Sequence, residues 1–545
     1  LWQFGSVTAK KFSFHWGGEM KNLILGVGLI FMVSACSHSM RKDHRADYQK
    51  FLKAQEIAPA DPNCVSSKCQ GMRMEMRWVA YVGEQVYCYW DEKKAQTGTD
   101  YKALAKTLEQ SITDATSKTQ YFVLLTHWAA ALQDGHVNAI ALQKQDLEIY
   151  SSPVRFELLN PATNDEQLVI TQVKSGTPLQ PGDTVTEIDD QPVASLLTQL
   201  ESQTSGSTPR MRRFWATRYL VDVLGVENST LPVKITVQRK GVPVVAELER
   251  AITVLPTPVT ESSAPAAEST GADLIKASIL PGNVGYLRID GFSGSQMPDL
   301  LDKALDRMMK TKGLIIDVRH NGGGDLSGNT VLARLSSKSL VRFRQSARMS
   351  DMTLIQRPDL FALPWKAGDL FSGWVDREVE AAPIDRQYLN RPVVGLISPY
   401  CFSACDTFSS ALKVNKLATL IGSGTGGGTG NPLVFELPVS SFAFRYSTNR
   451  GHTAQDHVIE GVGTLPDIEV HTSADDVRAG HDPVLAKAIE MASGASAVVQ
   501  PAAASTVNGL HEMNGPIWTQ SLDQSPTVVH MLELQRYGSH DEGGI

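Results

Sequence analysis

The chain has 545 residues, 42% of them hydrophobic, and a formal net charge of −7. That length allows several folded domains with sizeable cores. Both charge signs are spread along the sequence with no long basic block, which argues against a nucleic-acid partner. No apolar run in the body of the chain is long enough to span a bilayer.

The first element is MKNLILGVGLIFMVSAC, residues 20–36. Lys21 supplies a positive start and 23–32 an apolar stretch too short to cross a membrane, as in a secretory signal. Small residues before Cys36 resemble the lipobox of bacterial lipoproteins, in which the cysteine is lipid-modified; the alternative is an ordinary signal with a chance cysteine. With Ser37 next, the resemblance implies a periplasmic chain anchored by lipid, in the outer membrane of a Gram-negative bacterium. Residues 1–19 precede this signal, and Gly17-Gly18-Glu19 would be encoded by a sequence resembling a ribosome-binding site, so translation is expected to start at Met20 and 1–36 to be a mis-called leader plus lipoprotein signal peptide. Export implies an oxidising compartment. Six cysteines include Cys36, and the remaining five leave at least one unpaired. Cys64 and Cys69 are spaced for a local bridge and not for zinc, so no metal site is expected from them.

Residues 37–150 are expected to be a helical domain: the run 101–133 carries apolar residues at three- and four-residue spacing and ends at the turn signal Asp134-Gly135. Residues 151–255 change to short β-rich runs broken by Gly, Pro, Asn and Asp. Within them, VKSGTPLQPGDTVTEIDDQPV (173–193) resembles a PDZ domain of bacterial proteases. Such a domain takes a peptide as an added strand, or here serves as a spacer. Residues 256–275, rich in Pro, Ser, Ala and Thr, are expected to be a linker. Residues 276–492 alternate strands (NVGYLRI, GLIIDVR, RPVVGLIS, LATLIGS) with helices (MPDLLDKALDRMMKTK, ACDTFSSALKVN), which predicts an α/β core. Residues 493–545 form a tail with no assigned role.

Ser403 lies between a predicted strand and a predicted helix. There it is either a helix N-cap or a side chain exposed beside free backbone N–H groups. A serine nucleophile needs a base and an anion-stabilising site. The glycines of GLIIDVRHNGGG (313–324) let backbone N–H groups turn into such a site. His136 follows the helical region, and Glu460 and Asp467 flank a glycine turn in IEGVGTLPDIEV. The segment GSGTGG (422–427) satisfies a dinucleotide pattern, but a strand follows it, so no helix N-terminus is available for a pyrophosphate. Cys401 and Cys405 are thiol alternatives to the serine, or a disulfide pair. His320 beside the glycines reads as a solvated side chain.

VGYLRIDGF, LIIDVRHNGGG, CFSACDTF, a glycine loop and EGVGTLPDIEV occur in the order found in family S41, the C-terminal-processing and tricorn-core serine peptidases. LQDGH resembles the DGH element of its tricorn-like branch. The resemblance implies an α/β core of ClpP/crotonase-like β-α-β units, with an N-terminal helical domain and an inserted PDZ-like domain. It implies Ser403 as nucleophile, His136 as base and Glu460 as distal acid, with Ala404 and Gly323 supplying the oxyanion hole. The lysine base of the C-terminal-processing branch is replaced here by glycine in 422–430. The implied activity is hydrolysis of peptide bonds in unfolded or C-terminal protein segments, without metal or cofactor. A non-catalytic peptide- or ligand-binding lipoprotein on the same fold is the alternative.

Overall fold

The computed structural model describes residues 46–494, apart from 56–60, 142–147, 152–153, 174–175, 218–219, 221–222, 225–231, 250 and 255–269. The signal segment with Cys36, most of the expected linker and nearly all of the expected tail lie outside the described residues. Residues 46–54 are helical; everything below concerns residues 61–494.

Four helices come first: α1 (Ser67–Val86), α2 (Trp90–Thr97), α3 (Tyr101–Ser111) and α4 (Lys118–Ala131). Local chemistry sets their starts. Ser66 accepts from Cys69 N, Asp100 from Lys102 N and Ala103 N, and Ser117 forms a capping box with Gln120, each satisfying N–H groups the helix itself cannot. Trp78, Tyr101 and Trp128 are buried among them. After α4 the chain turns through Asp134-Gly135 into strand β1 (Asn138–Ala141).

The next region holds β2 (Val154–Leu159), β3 (Gln167–Val173), β4 (Thr184–Ile188), α5 (Val193–Glu201), α6 (Pro209–Ala216), β5 (Val233–Arg239) and β6 (Val242–Leu248). The strands run antiparallel in the order β2-β3-β4-β5-β6 over a core that includes Leu158, Ile170, Val185, Leu197 and Ile235. The Pro-Gly-Asp turn is real: Gly182 has φ +84, and Asp183 accepts from Gln180 N at 2.8 Å. The sequence reading of this region as β-rich passed over α5 and α6. α5 packs Leu197 into the sheet, and α6 starts on a Thr208 cap with Pro in its first turn.

A central sheet follows, built from β7 (Ile275–Leu280), β8 (Val284–Ile289), β9 (Gly313–Asp317), β10 (Val393–Ile397), β11 (Thr419–Gly422) and a later strand, Ile468–Glu469, in that spatial order. Only the β7–β8 pair is antiparallel. Every residue of β9 and β10 is buried, as a sheet covered on both faces requires. Helices α7 (Met297–Met308), α8 (Asn329–Leu335) and α9 (Ala404–Val414) share a core with Leu314, Ile316 and Leu420. Helix α10 (Pro483–Ser493) shares another with Ile315, Val394 and Ile421. The chain is therefore mixed α/β. Strands β12 (Pro432–Glu436) and β13 (Phe442–Ser447) pair antiparallel, and β1 adds to β13. Trp128 Nε1 donates to Tyr446 Oη at 2.6 Å, and that hydroxyl donates to Val79 O at 2.8 Å. The helical layer is thus fastened to the same body as the sheet.

At the carboxyl end of β9, Asp317 is buried against Arg319, with Nη2–Oδ2 at 2.6 Å, and Arg319 reaches Asp482 at 3.0 Å. Burial alone would raise the Asp317 carboxyl; the charge and hydrogen bonds of Arg319, with Arg288, outweigh it and hold the carboxyl well below its ordinary range. A lowered carboxylate pKa stabilises the fold above the unfolded value and loses that contribution as pH falls. Removing one partner strands the other charge. Asp317→Ala is expected to cost about 3–5 kcal/mol at pH 7, read from denaturant midpoints. The gap between variant and wild type should narrow toward pH 3; a constant gap would remove the ion pair as its cause.

Candidate active site

Parallel α/β sheets present their reactive loops at the carboxyl ends of the strands. Here the loops after β9 and β10 meet. Phe402 N donates to Asn321 O at 3.2 Å, and Ser398 Oγ to Arg319 O at 2.6 Å. Ser403 then sits at φ +60, ψ −118 immediately before α9. A non-glycine residue in that region carries backbone strain of about 1–3 kcal/mol and persists only where its surroundings fix it. Its Oγ is 2.9 Å from His136 Nε2. Cys401 and Cys405 are joined in a disulfide across this turn, so neither is a free thiol. Cys64 and Cys69 form a second disulfide, leaving Cys88 unpaired and buried. Burial, followed by the charges of Asp134 and Glu460, pushes the Cys88 thiol well up and keeps it protonated.

His136 is carried by the turn between α4 and β1. Asp134 Oδ1 accepts its backbone N–H at 2.7 Å and lies 3.8 Å from its Nδ1. Ser447 Oγ donates to Asp134 Oδ2 at 2.7 Å, and Gly430 N donates to His136 Nδ1 at 3.2 Å. A ring nitrogen that accepts carries no proton, so this network assigns the proton to Nε2, which donates to Ser403 Oγ. The Phe402 ring covers the imidazole at a centroid distance of 4.4 Å. Burial lowers the His136 pKa to about 3, with Asp134 pulling it up and Arg445 pushing it further down. The resting imidazole is neutral.

The third component is a carboxylate behind the serine. Asp406, fully buried, accepts from Ser403 N at 3.1 Å, Gly428 N at 2.9 Å, Gly427 N and the Thr425 hydroxyl. It ties the start of α9 to the glycine loop between β11 and β12. Burial pushes its carboxyl up to about 7, and these donors hold it from rising further. At Gly430 the loop passes so close that a Cβ would lie 2.0 Å from Ser447 Oγ and 2.9 Å from His136 Nδ1, so no side chain fits.

The structure brings Ser403, His136 and Ala404 together. Ala404 opens α9, where its N–H has no intrahelical acceptor. Gly323 lies against the serine, since a Cβ there would be 2.7 Å from Ser403 Cβ, but its N–H donates to Asn321 Oδ1 at 2.9 Å. Glu460 does not abut the imidazole in the way the sequence suggested; the carboxylate next to Nδ1 is Asp134. Glu460 is buried 3.1 Å from Lys93 Nζ, and burial and the Asp134 charge raise its pKa against the pull of Lys93. His320 is half-buried, not solvated, and its Nε2 has no partner among the described residues. The sequence reading missed Asp134, Asp406 and Ser447. The first stands two positions before the histidine in a segment that also reads as a turn; the second lies three positions after Ser403 in CFSACDTF; nothing local marks the third.

A strained serine at the start of a helix, set on a buried parallel sheet and hydrogen-bonded to a neutral histidine, is the arrangement of a nucleophilic hydrolase site. Residues 283–470 match the family model of peptidase family S41. The carboxy-terminal-processing protease of Bartonella bacilliformis is 25% identical over 224 residues, covering 39% of this chain and 45% of that protein's own length. The crystal structure of mature CPAF superposes with a TM-score of 0.63 at 18% identity, covering 76% of this chain and 95% of that one. Mature CPAF complexed with lactacystin gives 0.63 at 17% identity, covering 76% and 96%; at such identities these two show a shared fold. The segment 283–470 is thus similar to peptidase family S41, and the chain spans less than half the length of the curated relative it matches.

Because His136 is neutral across the working range, an acid limb near neutrality reports another group. The reactivity of Ser403 toward a fluorophosphonate should rise with a midpoint near pH 7 as Asp406 ionises and its donors gain an anion. Asp406→Asn should flatten the profile and lower the plateau about tenfold or more, whereas Glu460→Gln should keep the midpoint. A profile unchanged by Asp406→Asn would assign the limb elsewhere.

Proposed function

We propose that this chain is a serine endopeptidase that hydrolyses peptide bonds in unfolded or C-terminal protein segments, through an acyl-enzyme on Ser403 with His136 as general base. The observation that carries this reading is the 2.9 Å contact between Ser403 Oγ and His136 Nε2 at a serine held in a strained conformation. To act as a base, the ring must bear its proton on Nδ1 and offer a lone pair at Nε2. Asp134 is the group placed to take the Nδ1 proton in a hydrogen bond, once Gly430 N–H moves off that nitrogen and the 3.8 Å gap closes. Ser403 then attacks the peptide carbonyl, and His136 passes the proton to the leaving amine. Water, deprotonated by the same ring, releases the acyl group.

The oxyanion is expected to rest on Ala404 N–H, joined by Gly323 N–H when Asn321 Oδ1 yields it. Glu460 acts at longer range: Lys93 joins it to Gln133 O, one residue before Asp134. The sheet β2–β6 is proposed as a PDZ-like module that presents a peptide terminus. Cys36 is proposed as the lipid anchor that places the enzyme in the periplasm, at the outer membrane.

With the full chain in detergent and a loosely folded protein as substrate, Ser403→Ala should reduce cleavage at least about 10³-fold. His136→Ala should match it within about tenfold, with an unchanged circular-dichroism spectrum. Product masses would show whether cuts fall internally or at the C-terminus. Full activity in Ser403→Ala would overturn the assignment, and wild-type protein that neither cleaves nor acylates would favour a ligand-binding role.

A further inference from the structure

Resting on that reading of Ser403, we propose that the Cys401–Cys405 disulfide is a positioning device that holds the nucleophile in its strained conformation. The bond spans the serine itself: Cys401 precedes it by two residues, Cys405 follows by two, and their Cα atoms are 5.3 Å apart. Between them lie Phe402, whose ring covers His136, Ser403 at φ +60, and Ala404, whose N–H faces the proposed oxyanion. Both cysteines are fully buried in the core shared by α7, α8 and α9, so the clamp is anchored in packed interior.

The rest of the turn is held by hydrogen bonds: Ser403 N donates to Asp406 Oδ2 at 3.1 Å and Arg342 Nη2 to Ala404 O at 2.7 Å. Cys401 O accepts from Gly426 N at 2.8 Å, Cys405 N donates to Phe402 O at 3.0 Å, and Thr407 N donates to Ser403 O at 3.2 Å. Each of these can be remade in a relaxed turn. A covalent bond closing a five-residue loop around a positive-φ residue cannot. Without it, Ser403 is free to leave its strained region, and the Oγ–Nε2 contact and the Ala404 N–H direction change with it.

A positioning role makes a particular prediction for variants. Cys401→Ala, Cys405→Ala and the double variant break the same bond, so all three should lose the same factor, whereas two independent packing contributions would add. We expect fluorophosphonate acylation of Ser403 in the full chain to fall about tenfold to a hundredfold in each, equally, and peptide turnover to lose kcat with KM unchanged. Amide hydrogen exchange in the 401–407 segment should accelerate at least tenfold, while exchange in β9 and β10 stays as in the wild type. This exchange readout does not depend on the peptidase reading: if the wild type fails to acylate, that reading falls, and exchange alone still judges the clamp.

Reduction with dithiothreitol gives a test without substitution. Its two thiols close to a disulfide as the Cys401–Cys405 bond takes up two electrons and two protons to become two thiols. In a Cys64→Ala/Cys69→Ala background, acylation and exchange should follow the reduced fraction, measured by iodoacetamide tagging after denaturation, and return on reoxidation. Unchanged exchange in the double variant, or unequal effects of the two single variants, would overturn the proposal. So would a wild-type acylation rate in a protein whose bond is shown by mass to be open.

Discussion

The site depends on how one buried carboxylate is paid for. Asp406 has no exposed surface, and a buried anion is tolerated only when donors surround it. Its donors come from two places: Ser403 N at the start of α9, and Thr425, Gly427 and Gly428 in the loop after β11. Satisfying the charge therefore forces the glycine loop against the serine turn. The same loop continues to Gly430, whose N–H meets His136. The positions of Ser403 and His136 are coupled through one acid that touches neither Ser403 Oγ nor the imidazole.

The histidine arrives from another part of the chain. Its turn is held by β1 pairing with β13, by Ser447 reaching Asp134, and by Ser205 and Ser207 from the segment before α6. Ser205 Oγ donates to Asp134 O at 2.6 Å, and Gly135 N donates to Ser207 Oγ at 3.0 Å. Met211 of α6 also borders Gly135 and Gly426. The β2–β6 region is thus in contact with both loops that set the site, so a displacement of that region is felt at Asp134 and at the glycine loop together. Packed interiors transmit such shifts because they have no free volume to absorb them.

Much of this was legible in sequence because it is local. The continuous apolar runs of β9 and β10, the Pro-Gly-Asp turn and the strand–serine–helix order each follow from neighbouring residues, and the structure contains all of them. What was not legible is what depends on residues far apart in sequence. Ser447 carries no motif, yet it fixes Asp134 from 313 positions away. Asp134 itself reads as a turn residue until Gly430 and Ser403 are seen on the two faces of the same imidazole. Helices α5 and α6 were hidden for a different reason: α5 is a short apolar run, which does not distinguish a helix from a strand, and α6, with three arginines, is too short to show a helical period. Glu460 illustrates the converse. Its motif was visible, but only the fold shows that Lys93 and Asp134 are its electrostatic neighbours.

The burial that makes the base geometrically fixed also makes it reluctant. An imidazole lowered to about 3 resists the positive charge that the proposed mechanism would ask it to accept from Ser403. Asp134 is the local charge that favours the imidazolium, and at 3.8 Å from Nδ1 its help is only partly realised while Gly430 N–H occupies that nitrogen. A substrate strand that draws the glycine loop away would free Nδ1, bring it to Asp134 and raise the basicity of Nε2 in one motion. In such an arrangement the cost of burying the histidine would be offset only when the site is filled.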